Sequence, residues 1–254
     1  MPDDLKDKVV LITGASTGIG AAVARGFARL GSRVVVHYNA SETEANAVAA
    51  DVKRLGAETL LVQGDVMSSR DVERVVSETM DAFGRIDVLI NNAGGMLGRI
   101  PIEDYTEEHI GKVLALNVTQ VALFIRAVIP VMRRQKSGNV INVTSIAARN
   151  GGGGGAILYA GAKGFISTAT RGWAKEVVAD GIRVNAVSPG VITTPFHERY
   201  SSDAQLKAMQ ATIPMNRIGS ADECVGTFVY LASDAMSGYL TGQIIEVNGG
   251  QYMP

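Results

Sequence analysis

Seven short apolar runs, separated by segments of helical periodicity, constrain the fold more than any other feature of this 254-residue sequence. Runs rich in Val, Ile and Leu are typical of strands buried on both faces of a parallel sheet. The predicted strands cover residues 9–12, 33–37, 59–64, 86–90, 140–144, 182–187 and 244–247. Helices are predicted between Gly20 and Gly31, over 43–55, 69–83, 106–134, 159–179, 201–211 and 220–232. This alternation predicts a single α/β domain over residues 1–254, a doubly wound sheet of seven parallel strands with helices on both faces.

Composition and charge argue against several other classes of protein. The net charge is -1 and no basic patch occurs, so we expect no nucleic-acid partner. Residues 1–8 are polar, and the apolar stretch 118–132 is interrupted by Arg126 and Pro130, so neither a secretory signal nor a membrane span is expected. The single cysteine, Cys224, cannot form an internal disulfide and fits a cytoplasmic protein. The three histidines are not at ligand spacing, so no metal site is predicted.

A glycine-rich loop follows the first predicted strand and opens the first predicted helix. Its spacing, from Gly14 to Gly20, is Gly-x-x-x-Gly-x-Gly. Glycine lets the backbone approach a ligand closely, and a helix N-terminus offers free N–H groups to a pyrophosphate. A purely structural tight turn is the alternative, but the strand–loop–helix context favours a dinucleotide cofactor. The predicted contacts from this loop are Gly14, Ser16, Thr17, Gly18, Ile19 and Gly20.

The end of the second strand bears on which dinucleotide is used. Residues 37–41 read His-Tyr-Asn-Ala-Ser, with no carboxylate before Glu42. A carboxylate there would bind a ribose 2′-hydroxyl and repel a 2′-phosphate, so its absence favours NADP(H) and leaves NAD(H) possible. His37 either adds partial positive charge or is packed within the strand, and we favour the second. Further cofactor contacts are predicted at the ends of the second to fourth strands, from Tyr38, Asn39, Asp65, Val66, Asn91, Ala93 and Gly94. For Asp65 a helix-capping role is the alternative, and the two are compatible.

Tyr159 and Lys163 stand four residues apart on a predicted helix. This spacing puts both side chains on one face, where the ammonium would lower the pKa of the phenol towards the range useful for acid–base catalysis. Alone, the pair is weak evidence, because the same spacing occurs by chance on many helices and is more often a half-buried tyrosine beside a solvated lysine. The glycine run 151–155, just before this pair, is either a flexible connector or a mobile loop of an active site; we favour the loop.

Taken together, the motifs of the chain resemble those of the short-chain dehydrogenase/reductase family. The matching stretches are 13–20, Asn91 to Gly94, Asn117, Ser145, Tyr159 with Lys163, and Pro189-Gly190. The resemblance implies a Rossmann-type fold and an oxidoreductase that transfers a hydride between a nicotinamide and a carbonyl or secondary alcohol. It also implies cofactor contacts from Tyr159, Lys163, Pro189, Gly190, Ile192 and Thr194, where the Ile192 backbone would bind the nicotinamide carboxamide and Thr194 the phosphates.

The resemblance also implies four catalytic roles. Tyr159 would be the general acid in reduction and the base in oxidation. Lys163 would lower the pKa of Tyr159 and hold the nicotinamide ribose. Ser145 would hydrogen-bond the substrate oxygen, and Asn117 would hold a water in a proton relay behind Lys163. The segment between Ser145 and Tyr159 is one residue longer than is usual in the family, a departure that the glycine run can absorb.

Within the family two substrate classes are in view. The overall pattern is similar to 3-oxoacyl-carrier-protein reductases and glucose dehydrogenases, whereas residues 92–99, 156–162, 194–197 and 237–252 resemble reductases of deoxy keto-uronic acids. We predict a sugar or sugar-acid substrate ahead of an acyl thioester. A substrate carboxylate would be met by a group drawn from Arg99, Arg149, His197 and Arg199. An acyl-carrier protein would instead need a basic surface, for which the candidates are Lys112, Arg133, Arg134 and Lys136.

The family resemblance also implies association and leaves one different class of function open. Relatives commonly form homotetramers through long helices and the last strand, and residues 244–254 are apolar enough to be buried in such an interface. The cofactor half would cover about 1–150 and the catalytic and substrate half about 140–254. A non-catalytic dinucleotide-binding sensor on the same fold is the alternative. Retention of all four catalytic-type residues argues against that sensor.

Overall fold

Strands and helices alternate along the computed structural model, which describes residues 3–254. The strands are β1 Val9–Ile12, β2 Arg33–Tyr38, β3 Thr59–Gln63, β4 Val88–Asn91, β5 Gly138–Val143, β6 Ile182–Pro189, β7 Ile192–Thr193, β8 Gly219–Ser220 and β9 Ile244–Val247. The α-helices are α1 Gly18–Ala28, α2 Glu42–Arg54, α3 Ser69–Phe83, α4 Glu107–Leu114, α5 Gln120–Gln135, α6 Ala147–Asn150, α7 Ile157–Val177, α8 Pro195–Tyr200, α9 Asp203–Gln210, α10 Ala221–Ala232 and α11 Asp234–Ser237.

Seven of the strands form one parallel sheet in the order β3-β2-β1-β4-β5-β6-β9, as the alternation of strands and helices predicts. The order reverses between β1 and β4, which places the topological switch point, where open α/β sheets bind ligands, at the carboxyl ends of these two strands. The α/β Rossmann-type fold is therefore confirmed. The pair β7–β8 forms a separate two-residue ladder that the sequence did not predict.

Two apolar layers cover the faces of the sheet. One face packs against α1, α2 and α10, with Phe27 and Phe228 fully buried. The other packs against α3, α5 and α7, where Phe124 and Met132 are fully buried. Each such side chain contributes roughly 1.5–3 kcal/mol when removed from water. These layers fix the positions of the strand ends from which the cleft is built.

The predicted helix 106–134 is two helices joined by a π-helical turn. The turn, Ala115–Thr119, separates α4 from α5 and carries Asn117. By length and composition the continuous helical stretch Glu107–Gln135 would be long and apolar enough to cross a membrane. In the structure, however, Phe124, Val128 and Met132 of this stretch are fully buried in the layer against the sheet, as in a core helix.

The segment after β6 departs most from the sequence prediction. One helix over 201–211 was expected, whereas α8 begins at Pro195 and α9 follows from Asp203. Proline at the first helical position lacks only an N–H group that would have had no helical partner, so it starts α8. Ser202 caps α9 in a reciprocal capping box with Gln205.

Candidate active site

A cleft of about 860 Å³ lies at the carboxyl ends of the parallel strands. It is built from the loops after β1, β2, β3, β4, β5 and β6, together with the N-terminal part of α7 and residues of α8 and α9. The predicted site residues that line it are Gly14, Ser16, Thr17, Gly18, Ile19, Asn39, Asp65, Val66, Ala93, Gly94, Ser145, Tyr159, Lys163, Pro189, Gly190, Ile192 and Thr194. Four predicted residues do not line it: Gly20, Tyr38, Asn91 and Asn117.

The glycine-rich loop is tied to the loop after β4. The Asn92 side chain donates to the carbonyl oxygens of Thr13 and Gly14, both at 2.9 Å, and the Thr13 hydroxyl accepts from the Asn92 and Ala93 backbone N–H groups at 3.0 Å. A Cβ atom at Gly20 would lie 2.4 Å from the Gly14 carbonyl oxygen, so no side chain fits there. Gly20 therefore acts by allowing this packing. Its contact with a cofactor stays a prediction.

Helix α1 begins at this loop with its first N–H groups free of side-chain capping. Thr17 occupies the N-cap position but its side chain makes no cap hydrogen bond. Ser16, Thr17 and Gly18 line the cleft. Unpaired N–H groups and the positive end of the helix dipole favour an anion such as a pyrophosphate at this position.

His37 is a packed strand residue, which is the interpretation that the sequence favoured. Its Nδ1 accepts from the Gly14 N–H at 3.2 Å, so Nε2 carries the proton and donates to the Gly64 carbonyl oxygen at 3.0 Å. Burial lowers the pKa of His37 to about 4. The imidazole is therefore neutral at pH 7 and offers no charge to a phosphate.

The side chains of Tyr38 and Asn91 are buried in the protein and do not line the cleft, so a cofactor contact from either residue stays a prediction. Successive strand residues point to opposite faces of the sheet, and the Tyr38 side chain lies buried in the core layer of α1 and α2. Asn91 is buried and donates to the Asn142 side-chain oxygen at 2.9 Å, which joins β4 to β5. Asp65 does line the cleft, and its Oδ1 also accepts from the Met67 N–H at 2.9 Å within the loop before α3. The N-cap of α3 is Ser68, so Asp65 does not cap this helix.

Asn117 lies behind the cleft in the π-helical turn and is fully buried. Its amide donates to the Gly95 carbonyl oxygen at 2.8 Å, and its Oδ1 accepts from the Gly95 N–H at 3.1 Å. A Cβ atom at Gly94 would lie 2.8 Å from Asn117 Oδ1 and 3.2 Å from Lys163 Nζ. Asn117 and Lys163 thus converge on one point of the backbone after β4.

Tyr159, Lys163 and Ser145 come together at the centre of the cleft. Ser145 hydrogen-bonds Tyr159, and its hydroxyl also accepts from the Ala147 N–H at 3.1 Å. Lys163 Nζ lies 5.8 Å from the centroid of the Tyr159 ring and donates to the Val143 carbonyl oxygen at 2.8 Å. The cleft thus presents a phenol, a hydroxyl and a lysine amine close to one another.

The pKa of Tyr159 differs from the sequence prediction. Burial raises it to about 12, and the hydrogen bond with Ser145 opposes that rise only in part. Burial also lowers the pKa of Lys163 to about 8. The predicted lowering of the Tyr159 pKa by Lys163 is therefore not observed, because the ammonium is directed at the Val143 carbonyl and loss of water dominates both groups. At neutral pH Tyr159 is a protonated donor.

The part of the cleft formed by α8 and the loop after β4 carries two arginines and an aromatic cluster. Arg99, His197 and Arg199 line the cleft. Burial and the nearby Arg99 lower the pKa of His197, and its Nδ1 lies 3.0 Å from the Ser201 hydroxyl. The ring of Phe196 lies against Tyr159, with centroids 5.6 Å apart. The sequence did not assign Phe196 a role, although it stands in the Thr-Pro-Phe-His stretch that carried part of the family resemblance.

Several other predicted cations are already paired. Arg149 donates to Glu246 at 2.9 Å and lies over the Tyr252 ring, and of the four side chains predicted as a group to meet a substrate carboxylate it is the one that does not line the cleft. Lys112 pairs with Glu108, and Arg133 with Asp180. Lys112 is on α4, whereas the other three predicted docking cations lie at the end of α5, roughly 30 Å further along at 1.5 Å per residue. The predicted basic docking cluster is therefore not formed.

Along nearly its whole length the chain is similar to known reductases. Residues 14–251 match the family model described as enoyl-(acyl carrier protein) reductase. The 3-oxoacyl-[acyl-carrier-protein] reductase of Synechocystis sp. is 41% identical, with 98% of this chain and 98% of that protein covered.

Two solved structures share the whole fold. The NADH-dependent reductase A1-R′ responsible for alginate metabolism is 36% identical, with 99% of this chain and 100% of that chain covered and a TM-score of 0.92; it has also been solved in complex with NAD. Levodione reductase is 35% identical, with 97% of this chain and 98% of that chain covered and a TM-score of 0.90.

Proposed function

The chain belongs to the short-chain dehydrogenase/reductase family, and from that premise we propose that it reduces the ketone of a small sugar acid. It is therefore an oxidoreductase that acts on alcohol or ketone groups with a nicotinamide cofactor. The observation that carries the proposal is the charge of the cleft wall. Among the described residues, Asp65 is the only carboxylate that lines the cleft, and it lies at the end of β3. Arg99 and Arg199, from the loop after β4 and from α8, also line the cleft, so an anionic substrate is attracted there.

The residues present fit a dinucleotide. The uncapped start of α1, the glycine-rich loop and Thr194 would hold the phosphates, and Ile192 would meet the nicotinamide. The neutral turn of Asn39, Ala40 and Ser41 supports NADP(H), because it holds no carboxylate to repel a 2′-phosphate. NAD(H) is the alternative, as in the NADH-dependent structural neighbour. When bound, the cofactor supplies the hydride.

Tyr159 would donate the proton in this reduction. With its pKa raised to about 12, the phenol is protonated at neutral pH and can protonate the substrate oxygen as the carbonyl carbon becomes an alcohol carbon. Ser145, which hydrogen-bonds Tyr159, would hold the same substrate oxygen. Lys163 would bind the cofactor ribose, and Asn117 would hold a relay water behind it.

A 3-oxoacyl-acyl-carrier-protein reductase is the second candidate, favoured by the 41% identity to the Synechocystis enzyme. That activity calls for a basic surface that docks the acidic carrier protein. Two of the four predicted docking cations are neutralised by neighbouring carboxylates, and the four do not form one patch. This arrangement supports the sugar acid ahead of the acyl thioester.

Turnover of the purified protein tests the proposal. Consumption of NADPH and of NADH is followed with a keto-uronate, a neutral keto sugar and a 3-oxoacyl thioester. We expect the keto-uronate to be reduced with the highest kcat/KM. Faster reduction of the 3-oxoacyl thioester would establish the second candidate instead.

We also propose that the chain folds as one domain and assembles as a homotetramer. Large apolar side chains remain exposed on α4 and α7, namely Leu114, Ile157 and Phe165. Burial of such side chains between two copies of the chain would remove their apolar surface from water and favour association. Sedimentation at micromolar concentration is expected to give a tetramer, and a monomer would contradict this assignment.

A further inference from the structure

Arg99 connects two segments that are far apart in the sequence. Its Nε donates to the Tyr200 carbonyl oxygen at 2.9 Å, and its Nη1 donates to the Gly154 carbonyl oxygen at 2.9 Å. The neighbouring Ile100 N–H donates to the Gly155 carbonyl oxygen at 3.1 Å. The loop after β4 thereby joins the glycine run 151–155 to the end of α8.

The glycine run is shaped to meet Arg99. Gly151, Gly152 and Gly155 have φ values of +81°, +74° and +72°, which side-chain-bearing residues rarely adopt. A Cβ atom at Gly155 would lie 2.9 Å from the Arg99 Cβ and carbonyl carbon, whereas one at Gly154 would meet nothing within 4 Å. The run is therefore a defined turn whose close approach to Arg99 depends on Gly155.

The two hydrogen bonds of Arg99, to the Gly154 and Tyr200 carbonyls, form a bridge between the glycine run and α8. On the α8 side, this bridge leads to Tyr159, the candidate catalytic phenol. Tyr200, whose carbonyl accepts from Arg99, ends α8. The Phe196 ring on the same helix lies 5.0 Å from the Tyr200 ring and 5.6 Å from the Tyr159 ring, measured between centroids. A six-residue helix holds its position through such outside contacts, because it is too short to be stable alone.

We propose that Arg99 is a positioning residue: it fastens α8 to the glycine run and so holds Phe196 against Tyr159. The assignment rests on the proposed reduction in which Tyr159 is the acid. Arg99 acts through α8 and makes no contact with the reacting atoms. Its guanidinium is suited to the task, because two of its nitrogens donate to two separate carbonyls while it keeps further N–H groups for the cleft.

Arg99→Lys separates the bridge from the charge. Lysine retains the positive charge of the wall but has a single donor nitrogen, so it cannot occupy both nitrogen positions. We expect kcat to fall about 10- to 100-fold while KM for the keto-uronate changes less than about threefold, since the loss is one of alignment. A normal kcat in Arg99→Lys would overturn the proposal.

Two glycine variants approach the same bridge from the other side. Gly155→Ala is expected to reproduce the kcat loss of Arg99→Lys, because its Cβ would displace the run from Arg99. Gly154→Ala is the matched control, with open space at its Cβ position, and is expected to keep the wild-type kcat. Equal effects of the two variants would contradict the role of the bridge.

Hydrogen exchange provides a readout that needs no substrate. In Arg99→Lys we expect faster exchange of the backbone amides at 197–201, with exchange in the β-sheet unchanged. Unchanged exchange over 197–201 would overturn the proposal, whatever the enzyme reduces. If wild-type protein turned over none of the substrates, the proposed function would fail while exchange would still decide whether Arg99 fastens α8.

A double-mutant cycle tests the route through Phe196. If Arg99 acts by holding this ring, the kcat of Arg99→Lys with Phe196→Leu is expected to equal that of Phe196→Leu alone. Fully additive losses would show that Arg99 acts by another route.

Discussion

The two ends of the cleft are built in different ways. At the cofactor end, polar side chains join neighbouring backbone segments by hydrogen bonds. Asn92 donates to two carbonyls of the glycine-rich loop, and His37 links the Gly14 N–H to the Gly64 carbonyl. At the substrate end, side chains of short elements form the wall. Arg99, Phe196 and Arg199 come from a loop and a six-residue helix.

This difference shows which part of the site is fixed by the fold and which part is free to vary. The cofactor end sits at the switch point of the parallel sheet, and its hydrogen bonds would be lost together if the strands shifted. The substrate wall depends on a few side chains that the sheet does not determine. We infer that the cofactor end sets the class of reaction and that the substrate wall sets which substrate is chosen.

Tyr159→Phe lies where the two ends meet and is expected to have the largest effect. Without the phenolic proton, kcat should fall roughly 10²- to 10⁴-fold, the usual contribution of a general acid. Cofactor affinity, measured by titration of protein fluorescence, should stay within about twofold because the cofactor end is unchanged. Undiminished turnover would remove Tyr159 from the mechanism.

Lys163→Met separates function from stability. The pKa of Lys163 is lowered to about 8 in the folded protein, against 10.5 for an ordinary lysine. Below pH 8 both folded and unfolded chains carry this proton, and the cost of burying the charge is fully present. Between about pH 8 and 10.5 the unfolded chain binds more protons, so wild-type stability rises with pH relative to Lys163→Met, by about 3 kcal/mol at most.

Urea unfolding of both proteins at pH 7 and pH 10 measures this rise. We expect Lys163→Met to be inactive yet at least as stable as the wild type at pH 7. At pH 10 the advantage of Lys163→Met in unfolding free energy should be smaller. A constant difference between the two proteins at both pH values would contradict the lowered pKa.

Gly20→Ala tests how tightly the cofactor end is packed. Its Cβ would lie 2.4 Å from the Gly14 carbonyl oxygen and 2.6 Å from Asn92 Nδ2, so we expect a loss of about 1–3 kcal/mol of unfolding free energy and weaker cofactor binding. Gly226→Ala is the control, with open space inside α10, and should stabilise by about 0.5–1 kcal/mol. If thermal melts showed the melting temperatures of both variants shifted in the same direction from the wild type, this packing would be contradicted.

Arg199→Gln should have the smallest effect and tests the substrate end alone. Arg199 is exposed and lines the cleft, so removing its charge should raise KM for an anionic substrate about two- to fivefold with kcat unchanged. KM for a neutral keto sugar should not move. Arg134→Gln, which removes an exposed cation at the end of α5, is the control and should leave both KM values as they are.

The sequence predicted the sheet well because buried parallel strands leave continuous apolar runs. The starts of α3 and α10 were also readable, since Ser68 and Ser220 occupy their N-cap positions. The π-helical turn around Asn117 left no such signal, because its residues are as helix-compatible as their neighbours. Helix α8 was missed because Pro195 reads as a break unless it is recognised as a first helical residue.

Within the site, the sequence predicted which backbone segments line the cleft better than it predicted which side chains point into it. Tyr38 and Asn91 stand at the correct strand ends but point into the protein. Arg149 has the right charge but is paired with Glu246. A partner so distant in the sequence cannot be found from residue spacing.

The most direct test of this account compares a keto-uronate with its methyl ester, which keeps the sugar skeleton and removes the charge. Initial rates are measured with wild-type protein at saturating reduced cofactor, at low and high salt. The account predicts a kcat/KM about tenfold higher for the acid at low salt, with the preference decreasing as salt screens the two arginines. Equal kcat/KM values for acid and ester at both salt concentrations would contradict it.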